Sequence, residues 1–249
     1  MRNIFMSEQE LPRVALVIVA HPDDAEFGCA GSVAAWARDG WDVYLTIVTD
    51  ASGGGSDEAT DVGPAARQQI TNTRKAEQRA AAKILGLRDV FFLDRPDGTL
   101  QPTIDLRRDL VRLMRKYRPT RVLCQSPERT WQPSYSIGRH HPDHLAAGEA
   151  TIAALYPASQ NPWDFPELLE EGLTPHKVRE LYVMGAPVIN HAVDITETFD
   201  LKLAALAAHD SQLGARMNEL TPRLREWAAE TGKQHNMQYA EVFHRTENG

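Results

Sequence analysis

The chain holds only two cysteines in 249 residues, Cys29 and Cys124, far apart and outside any CxxC pattern. That spacing argues against a disulfide framework and against a cysteine-ligated zinc site, leaving both as small buried residues or inert thiols. Long apolar runs are missing too. No window approaches the roughly 18 to 20 consecutive apolar residues of a membrane span, and the N-terminal MRNIFMSEQELPR lacks a signal peptide's apolar middle. No membrane span is expected, and the cytoplasm is the expected compartment. Positive charge is in deficit: 27 Lys and Arg against 34 Asp and Glu give a net −7, which disfavours a broad nucleic-acid footprint. No internal repeat or clear interdomain linker stands out. Gly53 to Gly55 is not followed by GK[ST], and Asp57, Glu58 and Asp61 beside it would repel an anion, so the triplet reads as a flexible loop rather than a nucleotide cradle.

With 42% hydrophobic and 24% charged residues, the composition is that of a soluble globular chain with one sizeable core. Residues 13–20 (RVALVIVA) form a continuous β-branched run of the kind that fills a sheet covered on both faces. Further strands are expected over 41–49, 90–93, 121–125 and 178–184. Helices are expected over 25–38, 72–85 with a stop at Gly86, 104–117 with a stop before Pro119, and 145–155. This alternation predicts right-handed βαβ units, hence an α/β Rossmann-like three-layer sandwich with a mainly parallel sheet. The whole chain, 1–249, reads as one domain with its core at about 13–212 and a less regular part at 213–249, where helices at 196–208 and 220–231 and a late strand at 239–244 are expected. Two long loops, 50–69 and 126–141, are expected over one end of the sheet, where loops commonly bind ligands.

HPDDAEFGCAG follows the first strand and RHHPDH follows the fourth. Ligands of open parallel sheets bind outside the carboxyl ends of the strands. His21 and Asp24, three apart on a starting helical turn, can reach one point, while Asp23 faces elsewhere. If strands one and four are neighbours, His144 joins them, and two imidazoles with one carboxylate suit a catalytic zinc ion with an open fourth position. Taken singly, Asp23 and Asp24 read as helix caps, and His140, His141 and His144 as a polar loop and helix start. Two such clusters at two strand ends make accidental caps the poorer reading.

HPDDAEFGCAG and HPDHLAAG, with the strand before each, resemble the LmbE-like, or PIG-L, family of zinc-dependent deacetylases acting on N-acetylglucosaminyl conjugates. The similarity continues through TRKAEQRAAAKILG (Arg74, Glu77, Gly86), RPDG (Asp97, Gly98) and AAHDSQ (His209, Ser211, Gln212), so it covers roughly residues 13–212. Ala25 stands where the family most often has glutamate, with Glu26 one place later. The resemblance implies one Zn2+ per chain held by His21, Asp24 and His144, with Asp23 as general base. It also implies that His141 stabilises or protonates the intermediate, that Asp143 orients an imidazole, and that Arg74 and Asp97 contact substrate. His140 matches no family role. The implied partner is a small-molecule N-acylated amino-sugar conjugate.

Such chemistry needs each of these groups. Zinc lowers the pKa of a water and polarises the acetyl carbonyl; Asp23 takes the proton; a protonated His141 shares the tetrahedral oxyanion. Three other readings fit the same residues in part. A two-histidine, one-carboxylate site also serves non-haem Fe(II) oxygenases, usually on β-barrels. A related amidase would cleave a larger acyl or thiol conjugate. A non-catalytic Rossmann-like binding domain would keep the metal but has no use for Asp23. Trp131, Tyr135 and Trp163, in expected loops, are candidates either for stacking on a sugar or for local packing.

Overall fold

The computed structural model describes residues 12–131 and 140–249. The expectations for Tyr135 and for most of the loop at 126–141 fall on or beside residues 132–139, outside the described residues. Seven strands form one sheet in the order β3-β2-β1-β4-β5-β7-β6. They are β1 (Val14–Val19), β2 (Asp42–Thr49), β3 (Asp89–Arg95), β4 (Arg121–Gln125), β5 (Glu180–Met184), β6 (His191–Asp194) and β7 (Ala240–Glu247). β1 pairs in parallel with both β2 and β4, β3 extends one side, and β5 extends the other. β7 runs antiparallel to β5 and to β6.

The unbroken apolar run of β1 has a direct structural use. Ala15, Val17 and Val19 face one layer, with Trp36, Leu45 and Leu85; Leu16, Ile18 and Ala20 face the other, with Leu110, Met114 and Val122. Side chains alternate across a strand, so the middle of a strand covered on both faces favours apolar residues. Each fully buried Leu or Ile here contributes about 1.5–3 kcal/mol. The first layer is built by α1 (Asp24–Gly28), α2 (Ala30–Arg38), α3 (Pro64–Leu85) and α7 (Phe199–Ala207), and the second by α4 (Ile104–Tyr117) and α5 (Pro142–Ala153). Two short helices, α6 (Glu167–Glu170) and α8 (Asp210–Leu213), and the long α9 (Met217–Gln234) complete the described α-helices. A smaller cluster of Ile195, Phe199, Leu206, Leu213, Leu224 and Ala228 fixes α9 to α7. Among the described residues, no helix is long and apolar enough to cross a membrane.

Two sequence expectations need correction. The helix expected at 25–38 is two helices, because Cys29 leaves the helical region with φ −150. Helix α3 begins at Pro64, not residue 72, which shortens the first loop; Gly63 is its N-cap and Pro64 occupies the first helical turn, where a missing N–H costs nothing. The helix expected at 220–231 and the late strand expected at 239–244 are present as α9 and β7, and β7 is inserted between β5 and β6.

Candidate active site

The strand order reverses direction between β1 and β4, and the crevice at their carboxyl ends is where an open sheet of this type receives ligands. The exit from β1 is fixed from both sides. Ala20 N–H donates to Gln125 Oε1 at 2.9 Å, and the Ala20 carbonyl accepts from Thr49 N–H and Oγ1, both at 2.9 Å. His21 follows at once. On the β4 side, Gly148 lies so close to the strand end that a Cβ would sit 2.4 Å from the Gln125 carbonyl oxygen. That close approach brings α5, and with it His144, over the crevice.

His21, Asp24 and His144 do come together. His21 Nδ1 lies 3.3 Å from His144 Nε2 and 3.4 Å from Asp24 Oδ2, and His144 Nε2 lies 3.0 Å from Asp24 Oδ1. The opposite ring nitrogen, His21 Nε2, lies 3.1 Å from Asp97 Oδ1 and 3.1 Å from Asp143 Oδ2. Two sets of potential metal-ligand atoms, His21 with His141 and His144, and His21 with Asp97 and Asp143, fall within 4.8 Å of one another, whereas Asp24 meets the two histidines through different oxygens.

Asp143 is fully buried and anchored by N–H donors from Gly98 at 2.7 Å and Leu100 at 3.1 Å. The RPDG segment therefore serves the site through its backbone as well as through Asp97. Asp97 accepts from Gly53 N–H at 2.9 Å, which ties the glycine triplet to the same wall. His141 is the N-cap of α5, its Nδ1 accepting from Asp143 N–H at 3.2 Å, so here the simple capping reading holds as well. The Asp23 carboxylate caps nothing. Asp23 adopts φ 78, in the left-handed region, which costs a non-glycine residue about 1–2 kcal/mol. Such strain concentrates at functional sites.

Arg74 is buried, donates from Nη2 to the Pro22 carbonyl at 3.1 Å and approaches Asp23 Oδ2 at 3.5 Å. Gly54 makes room for it, since a Cβ there would lie 2.4 Å from Arg74 Nη1. Both expected substrate-contact residues thus reach the site, but Arg74 is engaged with Asp23 and Asp97 with His21. His140 lies at the rim of the neighbouring cavity. Sequence reasoning singled out neither Gln125 nor Gln78, whose amides tie the loop after β1 to β4 and to α3. A glutamine inside an ordinary helical or strand pattern carries no signal of such a role.

The electrostatics describe a site with surplus negative charge. Burial opposes protonation of His21, but hydrogen bonds from its ring to Asp143, Asp24 and Asp97 outweigh it and raise the pKa to about 11. Burial raises Asp97 and Asp143 as well, yet the His21 bond and backbone N–H groups carry Asp97 down to about 2 and Asp143 below its ordinary range. Asp24 is likewise held well below the ordinary carboxylate range, burial being overcome by His144 and His21. Asp23 alone moves up, to about 6, through burial and repulsion by Asp24, with Arg74 and His209 opposing. Burial and the neighbouring His21 lower His141, which favours its neutral form.

A cavity of about 510 Å³ opens beside Asp24 and His144, with an apolar wall of Phe27, Met184, Leu224 and Trp227. Trp131 and Trp163, both exposed, are not part of that lining. A larger hollow, about 690 Å³, lies at the amino ends of β2 and β3 around Trp41 and Arg88, remote from these groups.

Fold and site together define an α/β protein with a carboxylate–imidazole centre of the kind hydrolytic metalloenzymes use. The chain belongs to the PIG-L family, whose model, described as GlcNAc-PI de-N-acetylase, matches residues 16–155. A diacetylchitobiose deacetylase from Thermococcus kodakarensis is 33% identical, over 91% of this chain and 80% of the relative. A probable N-acetyl-alpha-D-glucosaminyl L-malate deacetylase 2 from Bacillus cereus is 29% identical, over 90% of this chain and 94% of the relative. The solved N,N'-diacetylchitobiose deacetylase from Pyrococcus horikoshii, complexed with its inhibitor MPG, superposes with a TM-score of 0.82 at 27% identity, covering 94% of this chain and 84% of that one.

Proposed function

We propose that this protein is a zinc-dependent N-deacetylase that removes the acetyl group from an N-acetylglucosamine-type sugar conjugate, with one zinc ion per chain held by His21, Asp24 and His144. The observation that carries this reading is the cluster of His21 Nδ1, His144 Nε2 and the Asp24 carboxylate: the ring nitrogens are 3.3 Å apart, and Asp24 meets His21 through Oδ2 at 3.4 Å and His144 through Oδ1 at 3.0 Å. Ligands about 2.0–2.1 Å from a tetrahedral zinc ion stand about 3.3–3.4 Å from one another. The chemistry of His21 separates this cluster from the competing set with Asp97 and Asp143. A ligating histidine presents one nitrogen to the metal and gives its other N–H to a carboxylate, and His21 Nε2 has two carboxylates in reach. Asp97 and Asp143 then orient the imidazole. The excess of buried carboxylates over cationic groups supports a bound divalent cation.

When bound, the ion supplies Lewis-acid polarisation of the acetyl carbonyl and a lowered pKa for the attacking water. The remaining work falls to side chains. Asp23, with a pKa near 6, is ionised at neutral pH and basic enough to take the water's proton on its carboxylate. The same carboxyl group then delivers that proton to the departing sugar amine. His141 Nδ1 is occupied by the Asp143 N–H, which leaves Nε2–H to donate to the developing oxyanion. Burial lowers its pKa and favours a neutral Nε2–H donor, an alternative to the protonated His141 of the sequence reading. Arg74 restrains the Asp23 carboxylate and limits the rise of its pKa.

The apolar wall of the 510 Å³ cavity supports a second reading within the family, an amidase acting on a larger acyl or thiol conjugate. Metal analysis of the purified protein, then acetate release from generic N-acetylglucosamine conjugates with and without chelator, tests the first reading. Asp23→Asn is expected to keep the metal and lose turnover by about 100-fold or more; unchanged turnover removes Asp23 from its role. Faster cleavage of longer N-acyl groups than of acetyl favours the amidase. Metal without turnover on either panel returns the non-catalytic binding domain.

A further inference from the structure

One peptide group at the site is held at both polar ends by a single helix face. The Pro22 carbonyl accepts from Arg74 Nη2 at 3.1 Å, and the Asp23 N–H donates to Gln78 Oε1 at 3.1 Å. Arg74 and Gln78 are four residues apart on α3, so they project from one side of it. This is the peptide that precedes the left-handed Asp23 Cα, φ 78. A left-handed φ costs a residue with a Cβ about 1–2 kcal/mol, though aspartate tolerates it better than most, and this φ sets where the carboxylate points relative to His21 and Asp24.

Gln78 is itself held from behind. Its Nε2 donates to Glu26 Oε1 at 2.7 Å, which leaves Oε1 to face the Asp23 N–H. The other Glu26 oxygen lies 3.5 Å from His209 Nε2. Gln78, Glu26 and His209 are all fully buried. Among the described residues, neither His209 ring nitrogen has a hydrogen-bond partner of ordinary length, so the ring serves as a wall and a charge neighbour to Glu26. Glu26, one place along from the family's usual glutamate, is therefore part of a bracket on the site.

We propose that Gln78, backed by Glu26 and His209, is a positioning residue that holds the Pro22–Asp23 peptide in the conformation that aims the Asp23 carboxylate at the His21–Asp24–His144 cluster. The inference rests on Asp23 acting as the base. Release of the N–H lets Asp23 relax to ordinary backbone angles and swings its carboxylate away. Asp24 stays in place, because its Oδ2 is separately bound by His21 N–H at 2.7 Å. Loss of Gln78 should therefore uncouple proton transfer from metal binding.

The test measures kcat, KM and metal content of the metal-loaded enzyme carrying Gln78→Met, which preserves side-chain length and removes both hydrogen bonds. The expected result is a fall in kcat of about 10- to 100-fold, as a misplacement near 1 Å produces, with KM and metal content within about twofold of the parent. The exchange Gln78→Glu with Glu26→Gln, which keeps an acceptor for the Asp23 N–H and restores an amide–carboxylate pair behind it, should recover most of the lost kcat. In an Asp23→Asn background, Gln78→Met should cost little further, since residues acting as one unit are not additive. Should Gln78→Met not fold, Gln78→Asn carries the same test, its amide one methylene too short to reach both partners. Unchanged kcat, a loss that adds in full to that of Asp23→Asn, or loss of metal overturns the inference. Full turnover by Asp23→Asn itself would instead overturn the catalytic reading beneath it.

Discussion

His144 Nε2 lies 3.0 Å from Asp24 Oδ1, a contact between the first turn of α1 and the first turn of α5 that joins the ends of two neighbouring parallel strands. Neither residue has a hydrophobic reason to be there. Removing the imidazole leaves Asp24 and His21 as an incomplete ligand pair. His144→Ala is expected to purify with little or no zinc and to remain folded, because His144 is only partly buried. Metal content measured by elemental analysis at one ion per chain would show that the ligand set is different.

Asp143 reports on the other nitrogen of His21. Asp143→Asn keeps the shape but has one acceptor oxygen where Asp143 uses two, Oδ2 for Gly98 N–H and His21 Nε2 and Oδ1 for Leu100 N–H, and it loses the charge that fixes the His21 ring. Metal affinity is expected to fall by about 10- to 100-fold, the usual cost of losing an orienting partner. Competition with a metallochromic chelator measures it. An unchanged affinity would instead favour Asp97 as the partner of His21 Nε2.

Gly148 tests the placement of His144 from a distance. A Cβ at this position meets the Gln125 carbonyl oxygen at 2.4 Å, and backbone cannot turn aside as a side chain does. Gly148→Ala should therefore push α5 off the end of β4, destabilising the protein by about 1–3 kcal/mol. Thermal unfolding should register a drop of about 2–4 °C per kcal/mol. The folded fraction should also bind metal more weakly, since His144 is one turn away on the same helix.

Glu180 gives a pH dependence separate from the active site. Burial raises its pKa, but hydrogen bonds and charge from Arg245 and Arg121 more than reverse this and hold it below its ordinary value in the folded state. The unfolded chain then binds the proton more tightly. The stabilisation is complete above the unfolded carboxyl value of about 4.3 and disappears as pH falls through the lower folded value. Glu180→Gln is expected to cost about 1–2 kcal/mol at neutral pH, and urea titrations should find the difference closing below about pH 4. A difference that persists in acid would assign the loss to packing.

Much of this architecture can be read directly from residues 14–20 and 122–124, because the middle of a strand covered on both faces favours apolar residues and so prints as an apolar run. The two His/Asp clusters were legible for a related reason: charged and imidazole groups directly after such runs have no role in the core. Other features have no local imprint. Asp143 owes its position to backbone N–H groups of Gly98 and Leu100, which any residue would supply. Gln78 looks like an ordinary helix former until Asp23 is seen above it. The early start of α3 was hidden because PAARQQITNT is almost all polar or small and has no apolar stripe to reveal its period. The His141 cap shows that a bland role and a chemical one can share one ring.

The insertion of β7 between β5 and β6 sets an order on assembly. A nascent chain emerging from the ribosome can complete β1 through β5 and lay helices over them, yet β6 must wait, its ladder partner not having been made. Glu241 arrives with that same strand and supplies the carboxylate for Lys202 and for the N–H groups of Gly31 and Ser32. Removing residues 240–247 would therefore do more than trim an edge: it would split the sheet from within and strand a buried ammonium next to the helices that carry the site.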